Sequence, residues 1–220
     1  MILKVRNSKV SGNVKIPGSK SHTIRALFLA SLAEGQSKIK NPLLSSDALS
    51  AVEVCKALGA KIDFVENSYI VNGFNGIPCT PSDVINVGNS GTTLRIGVTM
   101  AALGEGNSVF TGDYQVRRRP LAPLINVINN LGGEAFSTNN SGTAPVVVRG
   151  KLKGGKTELD SVTSQFLSSL LISLPVVEND TEIIVTRLNE IPYVDITTWW
   201  LDKMGIKYEN NQYKSFYVKG

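Results

Sequence analysis

Residues 121–150 read LAPLINVINNLGGEAFSTNNSGTAPVVVRG. The apolar residues of the first half recur at the spacing of an amphipathic helix, and Gly132 is a residue type that commonly ends one. The second half holds two short runs of strand-forming residues separated by Asn, Ser and Gly, which is the pattern of two strands joined by a turn. The stretch therefore predicts a helix followed by strand, turn and strand.

The same pattern occurs three times along the chain. Leu58-Gly59 and Met204-Gly205 end similar amphipathic segments, so that Gly59, Gly132 and Gly205 follow one another at intervals of 73 residues. Each glycine precedes or opens a strand–turn–strand segment; these read AKIDFVENSYIVNG, GEAFSTNNSGTAPVVVRG and IKYENNQYKSFYVKG. A fixed period of this length indicates a repeated supersecondary unit.

A second shared pattern lies upstream of each helix. The strand-like segments NVKIPG (13–18), DVINVG (83–88) and KTELDS (156–161) run into small polar turns, an apolar helix and another strand. Each unit of roughly 70 residues is therefore predicted to be β-α-β-α-β-β. Ser46 with Asp47 is predicted to begin the second helix of the first unit, and Pro120 that of the second.

The predicted fold class is α/β (α+β), with three β-α-β-α-β-β repeats around a pseudo-threefold axis. The repeats span about 15–80, 81–152 and 153–220, and together they make a single domain over 15–220. Residues 1–14 are predicted to be an opening strand.

The start of the first helix, KIPGSKSHTIR (15–25), resembles a phosphate-binding loop but fails its spacing, because Ser19 stands where that motif requires glycine. The unpaired N–H groups at the start of a helix still attract anions, and Lys20 and Arg25 flank them. Simple capping by serine explains this stretch alone equally well. The turns 89–93 and 163–165 occupy the same point of the repeat, however, and this coincidence favours a shared anion site.

The composition is that of a globular protein: 42% of the 220 residues are hydrophobic and 19% are charged. No apolar run approaches the length of a membrane span, so no membrane partner is predicted. Cys55, Cys79 and the lone His22 make neither a disulfide framework nor a metal site, which fits a reducing cytoplasm. The formal net charge of +5 favours anionic partners.

Five motifs resemble the 5-enolpyruvylshikimate-3-phosphate synthase family, in its order and at its spacing. They read PGSKSHTIRAL, GNSGTTLR, RRRPLAPL, SVTSQFLSSLL and IPYVDIT. The resemblance implies transfer of the enolpyruvyl group from phosphoenolpyruvate to the 5-hydroxyl of shikimate 3-phosphate, with no metal or organic cofactor. It also implies a monomeric enzyme of two three-repeat domains, in which residues 1–14 help to build the second, C-terminal domain.

The resemblance further implies which residues bind the two anionic substrates. For shikimate 3-phosphate they are Lys20, Ser21, Arg25, Thr163, Ser164, Gln165 and Tyr193. For phosphoenolpyruvate they are Lys20, Gly91, Arg119 and Gln165. Thr163 and Ser164 would donate to the 3-phosphate, and Arg25 would hold the shikimate carboxylate with its planar fork.

The chain departs from the family pattern at two positions. Glu190 stands where a serine commonly helps to hold the substrate phosphate, and a carboxylate facing a phosphate would repel it. Ile96 follows Arg95 where a proline is common, which affects helix geometry more than chemistry.

No catalytic residue is assigned in this chain, because the family's acid–base carboxylates lie in the other domain. Asp113, Asp160 and Asp195 are scattered and offer no paired substitute, so the chain alone is expected to be inactive. The alternatives are the sibling transferase acting on UDP-N-acetylglucosamine and a non-catalytic half-protein that binds small anions or nucleic acid. Nucleic acid is disfavoured, because the chain has no basic stripe interleaved with aromatic residues.

Overall fold

The computed structural model describes residues 3–220, and its elements fall into three successive units. Unit 1 contains α1 (Lys20–Leu32), β1 (Gln36–Lys40), α2 (Ser46–Ala57), β2 (Lys61–Val65) and β3 (Ser68–Asn72). Unit 2 contains β4 (Ile85–Asn86), α3 (Gly91–Ala101), β5 (Ser108–Thr111), α4 (Ala122–Asn130), β6 (Glu134–Ser137) and β7 (Val146–Arg149). Unit 3 contains β8 (Gly155–Ser161), α5 (Ser164–Ser173), β9 (Thr181–Leu188), α6 (Ile191–Met204), β10 (Tyr208–Asn211) and β11 (Ser215–Val218).

Each unit forms its own small sheet. The strand orders are β1-β3-β2 in unit 1, β4-β5-β7-β6 in unit 2 and β8-β9-β11-β10 in unit 3. In units 2 and 3 the first strand pairs parallel with the strand that follows the first helix, and the other pairs are antiparallel. The predicted α/β architecture of three repeated units is confirmed.

Unit 1 lacks the first strand that the sequence predicts for residues 13–18. These residues are not paired with β1, and Val14 and Ile16 are 81% and 78% exposed. Without ladder hydrogen bonds or packing, β propensity alone does not hold a strand. The predicted opening strand is likewise not a strand over residues 3–14, and its first two residues lie outside those described.

An apolar groove of about 640 Å³ lies beside the place that this strand would take. α1 and β1 form one wall, and Val176, Trp200 and Met204 line the other. Within residues 3–220, no helix combines the length and the apolar character needed to cross a bilayer.

The first helices of the three units, α1, α3 and α5, pack against one another in the centre of the domain. Phe28, Leu94 and Phe166 are fully buried there. The helices are also joined by polar contacts, since Thr99 donates to Ser169 Oγ at 3.0 Å in the buried core. This packing around a pseudo-threefold axis brings three equivalent helix N-termini to one end of the domain.

Two predicted helix starts are displaced by one or two residues. α2 is capped by Ser45, whose hydroxyl accepts from the Ala48 amide at 3.3 Å, so Ser46 is the first helical residue rather than part of the cap. α4 begins at Ala122 with Pro123 in its first turn, and Pro120 lies outside the helix. N–H groups in the first turn of a helix have no intrahelical acceptor, so proline is tolerated there. In α4 this residue is Pro123, and the prediction of Pro120 was wrong.

Candidate anion-binding site

The N-termini of α1, α3 and α5 share one cleft of about 140 Å³. Its lining residues are Lys20, Ser21, Arg25, Thr92, Ser164, Gln165, Glu190 and Tyr193. The structure therefore brings together six of the seven residues predicted for shikimate 3-phosphate. Thr163 lies next to the cleft as the N-cap residue of α5. Gly91 and Arg119 lie beside it, where α3 begins.

Local sequence explains why α1 and α3 begin where they do. Ser19 caps α1 by accepting from the His22 amide at 3.4 Å, and Ser90 caps α3 by accepting from the Thr93 amide at 3.3 Å. In both helices the capping serine precedes the amide by three residues, as expected for an N-cap. The remaining N–H groups of the first turn stay available to a ligand.

Lys20 brings a mobile positive charge to the cleft. Its ammonium lies 3.5 Å from an Asp47 carboxylate oxygen, and about half of the Lys20 side chain is exposed. A solvated ion pair of this kind is worth little, about 0–1 kcal/mol. Lys20 is therefore free to exchange Asp47 for an anionic ligand.

Arg25 is built into the protein rather than placed on its surface, since it is only 2% exposed. Its Nε donates to Thr197 Oγ1 at 2.6 Å, and its Nη2 donates to Ser168 Oγ at 3.0 Å and to the Tyr193 carbonyl at 2.9 Å. Nη1 donates to the Ser21 carbonyl at 3.2 Å. Burial lowers the pKa of the guanidinium to about 10, so Arg25 still carries its charge at neutral pH.

These bonds limit how Arg25 can meet a carboxylate. A two-point contact needs a pair of neighbouring N–H groups along one edge of the guanidinium. The protein already uses Nε–H and both Nη2–H groups of Arg25, and one Nη1–H remains. The expected planar-fork contact is therefore not available in this arrangement, whereas a single contact through Nη1 is.

Arg95, which was not predicted as a site residue, contacts Gln165 of the cleft. It is 4% exposed, and its Nη1 donates to Gln165 Oε1 at 2.8 Å and to the Gly91 carbonyl at 3.2 Å. Burial and then the neighbouring charge of Arg119 lower its pKa to about 10, while Glu190 acts in the opposite direction. A signal was present, because Thr23-Ile24-Arg25 recurs one unit later as a Thr-Leu-Arg run that ends at Arg95.

Gly91 lies beneath two positive side chains. A Cβ at this position would stand 2.5 Å from Arg119 Nη1 and 2.7 Å from Arg95 Nη1, so only glycine leaves both guanidinium groups in place. Arg119 is held by a bond from Nη2 to Asn89 Oδ1 at 3.1 Å. The positive charges of Arg95 and Arg119 repel each other, and the N-terminus of α3 adds to the positive potential. An anionic group bound between them would relieve this repulsion, which makes the place favourable for an anion. Arg117 and Arg118 are exposed.

Glu190, which stands where the family commonly has a phosphate-binding serine, lines the cleft. Its Oε2 accepts from Thr163 Oγ1 at 3.1 Å, from the Ser164 amide at 3.2 Å and from Ser164 Oγ at 3.0 Å. A carboxylate oxygen thus occupies the N-terminus of α5. The sequence predicts that Glu190 departs from the family pattern, but it does not predict these contacts, which join Glu190 to Ser164 and Thr163 across 26 and 27 positions of the sequence.

The three aspartates considered in the sequence have structural roles away from the cleft. Asp113 Oδ1 accepts from the Gln115 and Val116 amides, both at 2.9 Å. Asp160 pairs with Arg187 through two bonds of 2.7 Å, and Asp195 accepts from the Tyr213 hydroxyl at 2.6 Å. Among residues 3–220, Glu190 is the one carboxylate that lines the cleft. The described part of the chain also has no group of His, Cys, Asp and Glu arranged to hold a metal ion.

The three-unit α/β domain, whose central helix N-termini meet beside Lys20, Arg25 and Arg95, has the features of a candidate anion-binding domain. Comparison with known proteins gives the family. The model of the EPSP synthase (3-phosphoshikimate 1-carboxyvinyltransferase) family matches residues 5–220, and the chain belongs to this family.

Individual relatives agree with this assignment. The chain is 72% identical over 220 residues to a 3-phosphoshikimate 1-carboxyvinyltransferase of Acetivibrio thermocellus and 58% identical to one of Ruminiclostridium cellulolyticum. It spans 52% of the length of each. The fold is shared with EPSP synthase of Acinetobacter baumannii, with a TM-score of 0.84 at 24% identity over 95% of this chain and 47% of that one.

Proposed function

We propose that this chain is the shikimate 3-phosphate half of a 3-phosphoshikimate 1-carboxyvinyltransferase. That enzyme moves the enolpyruvyl group of phosphoenolpyruvate to the 5-hydroxyl of shikimate 3-phosphate and releases phosphate. The observation that carries the proposal is the meeting of three helix N-termini in one cleft that Lys20, Ser164 and Gln165 line. Helix N-termini with adjacent cations bind phosphate and carboxylate groups.

The donors at the start of α5 are suited to the 3-phosphate. The Ser164 amide, Ser164 Oγ and Thr163 Oγ1 converge on a single oxygen position at 3.0–3.2 Å. At the start of α1, Ser21 and the remaining Nη1–H of Arg25 face the same cleft and are suited to the shikimate carboxylate. Tyr193 lines the space between these two ends.

Phosphoenolpyruvate is assigned to the neighbouring space at Gly91. Arg119 from a neighbouring segment and Arg95 from the next turn of α3 both approach Gly91, and Gln165 is held towards it by its bond from Arg95. Lys20 lines the cleft, and it is assigned to contact both substrates.

The cleft also implies a partner. Ligand pockets usually measure about 300–1,000 Å³, and a cleft of about 140 Å³ is one wall of such a site rather than the whole. The other wall is assigned to the C-terminal domain that the relatives' additional length contains, closing on this half as a monomeric enzyme. The ligands are small anions rather than nucleic acid.

Calorimetric titration with shikimate 3-phosphate and with shikimate tests the proposal. The phosphate should tighten binding about 10- to 100-fold, since charge-assisted contacts contribute about 1.5–3 kcal/mol. Preference for UDP-N-acetylglucosamine would favour the sibling transferase. Displacement of shikimate 3-phosphate by an oligonucleotide would favour a nucleic-acid-binding module.

A further inference from the structure

We infer that the Glu190 carboxylate occupies the phosphate position of the ligand-free chain, and that a phosphate ligand enters by displacing it. This inference rests on the proposed function, because it assigns the N-terminus of α5 to the substrate phosphate. It makes Glu190 a residue that sets phosphate affinity rather than one that only holds the fold together.

The contacts of Glu190 are those of a ligand oxygen. One atom, Oε2, accepts all three hydrogen bonds, from the Ser164 amide, Ser164 Oγ and Thr163 Oγ1. Ser164 is 1% exposed, so two of these donors belong to a buried residue that faces the cleft. Three donors that converge on one oxygen make an oxyanion position, and an oxygen of a phosphate group has the same requirement as a carboxylate oxygen.

Ordinary helix capping does not account for this arrangement. α1 and α3 are closed by the hydroxyl of their own N-cap serine, which accepts from the amide three residues later. Thr163 holds the same position in α5, yet its hydroxyl makes no such bond and donates to Glu190 instead. The first donors of α5 therefore have no acceptor within their own turn and face the cleft. The Glu190 carboxylate, which comes from another segment, accepts from them.

Glu190 has an unfavourable backbone conformation in this position. Its φ is 62° and its ψ is 43°, in the left-handed region that is unfavourable for a residue other than glycine. The preceding residue, Asn189, is held in place by two hydrogen bonds. Its amide donates to the Ser161 carbonyl and its side chain donates to the Val162 carbonyl, both at 3.1 Å. Glu190 makes no capping bond for α6, the helix that it precedes.

Occupation by Glu190 lowers the affinity for a phosphate ligand in two ways. The ligand finds its donors free only in the fraction of molecules from which the carboxylate has moved, and its apparent affinity falls by that fraction. The negative charge of a displaced Glu190 also stays close to the phosphate, unless the side chain turns towards a cation. Arg95 is a buried cation of this kind, and the negative charge of Glu190 raises the pKa of its guanidinium.

Binding of inorganic phosphate and of shikimate 3-phosphate to the wild-type chain, E190S and E190Q tests the inference. We expect E190S to bind both ligands about 10- to 100-fold more tightly than the wild type, because it lacks the internal competitor. E190Q retains the shape without the charge and should gain less. The control E178S makes the same change in net charge beyond the opposite end of α5, and its affinities should match the wild type.

Thermal unfolding shows whether each variant is folded at the titration temperature. If serine is not tolerated at the left-handed position, E190G removes the carboxylate where glycine is favoured. Equal or weaker phosphate binding by E190S or E190G than by the wild type would overturn the inference. With shikimate 3-phosphate still preferred over shikimate, that result would leave the proposed function in place. Tighter phosphate binding without that preference would support the inference and contradict the proposed function.

Discussion

The 220-residue chain alone is expected to bind shikimate 3-phosphate without converting it. Enolpyruvyl transfer needs a proton delivered to the methylene carbon of phosphoenolpyruvate and a base near the attacking 5-hydroxyl. Among residues 3–220 the one carboxylate of the cleft, Glu190, already accepts three hydrogen bonds at α5 and has no second carboxylate beside it. Each properly placed acid or base contributes about 10²- to 10⁴-fold, so a loss of about 10⁴- to 10⁸-fold follows.

The measurement is phosphate release in the presence of both substrates. A complete enzyme typically turns over at about 1–10³ per second, and the chain alone should remain orders of magnitude below that range. The matched control is the full-length Acetivibrio thermocellus relative, of which this chain spans 52%. Release by the chain at the control's rate would show that an acid–base pair within residues 3–220 has been overlooked.

Arg25→Ala is expected to weaken both the site and the fold. Loss of a charge-assisted contact to the shikimate carboxylate should reduce affinity about 10- to 100-fold. The same change removes four hydrogen bonds from a side chain that is 2% exposed, while Thr197 Oγ1 remains a donor within reach of Ser168 Oγ and the Tyr193 carbonyl. A hydrogen bond from a charged group contributes about 1.5–3 kcal/mol, and the deleted side chain also leaves a cavity, so the free energy of unfolding should fall by about 3 kcal/mol or more.

Calorimetry below the unfolding transition separates the two effects. Arg117→Ala is the matched control, because Arg117 is exposed and donates to the Gly112 carbonyl away from the cleft. Its affinity for shikimate 3-phosphate should differ little from the wild type. Equal losses in the two variants would mean that diffuse positive charge, rather than a defined site, attracts the ligand.

The sequence predicted those features that depend on local patterns. Helix and strand periodicity, together with Gly59, Gly132 and Gly205 at fixed intervals, was sufficient for the three units and their order. Lys20 and Ser164 were found because each opens a helix at the same point of its unit. Exact helix starts were less certain, since capping at Ser45 or Ser46 satisfies similar rules.

The features that escaped prediction depend on distant segments. Arg95 lies beside the candidate site because folding brings it to Gln165, which is 70 residues away in the sequence. The contacts of Glu190 with Ser164 require α6 to begin beside α5. The strand predicted at 13–18 is not formed. A strand needs a neighbouring strand to pair with, and local sequence does not show whether one is present.

Shikimate 3-phosphate is proposed to lie between the N-termini of α5 and α1. A crystal structure of the chain with this ligand is the most direct measurement. We expect the phosphate within hydrogen-bond distance of the Ser164 amide and hydroxyl and of Thr163 Oγ1, with the ligand carboxylate near Ser21 and Arg25 Nη1. A ligand bound elsewhere, for example in the apolar groove beside β1, or one whose phosphate does not contact α5, would show that this placement is wrong.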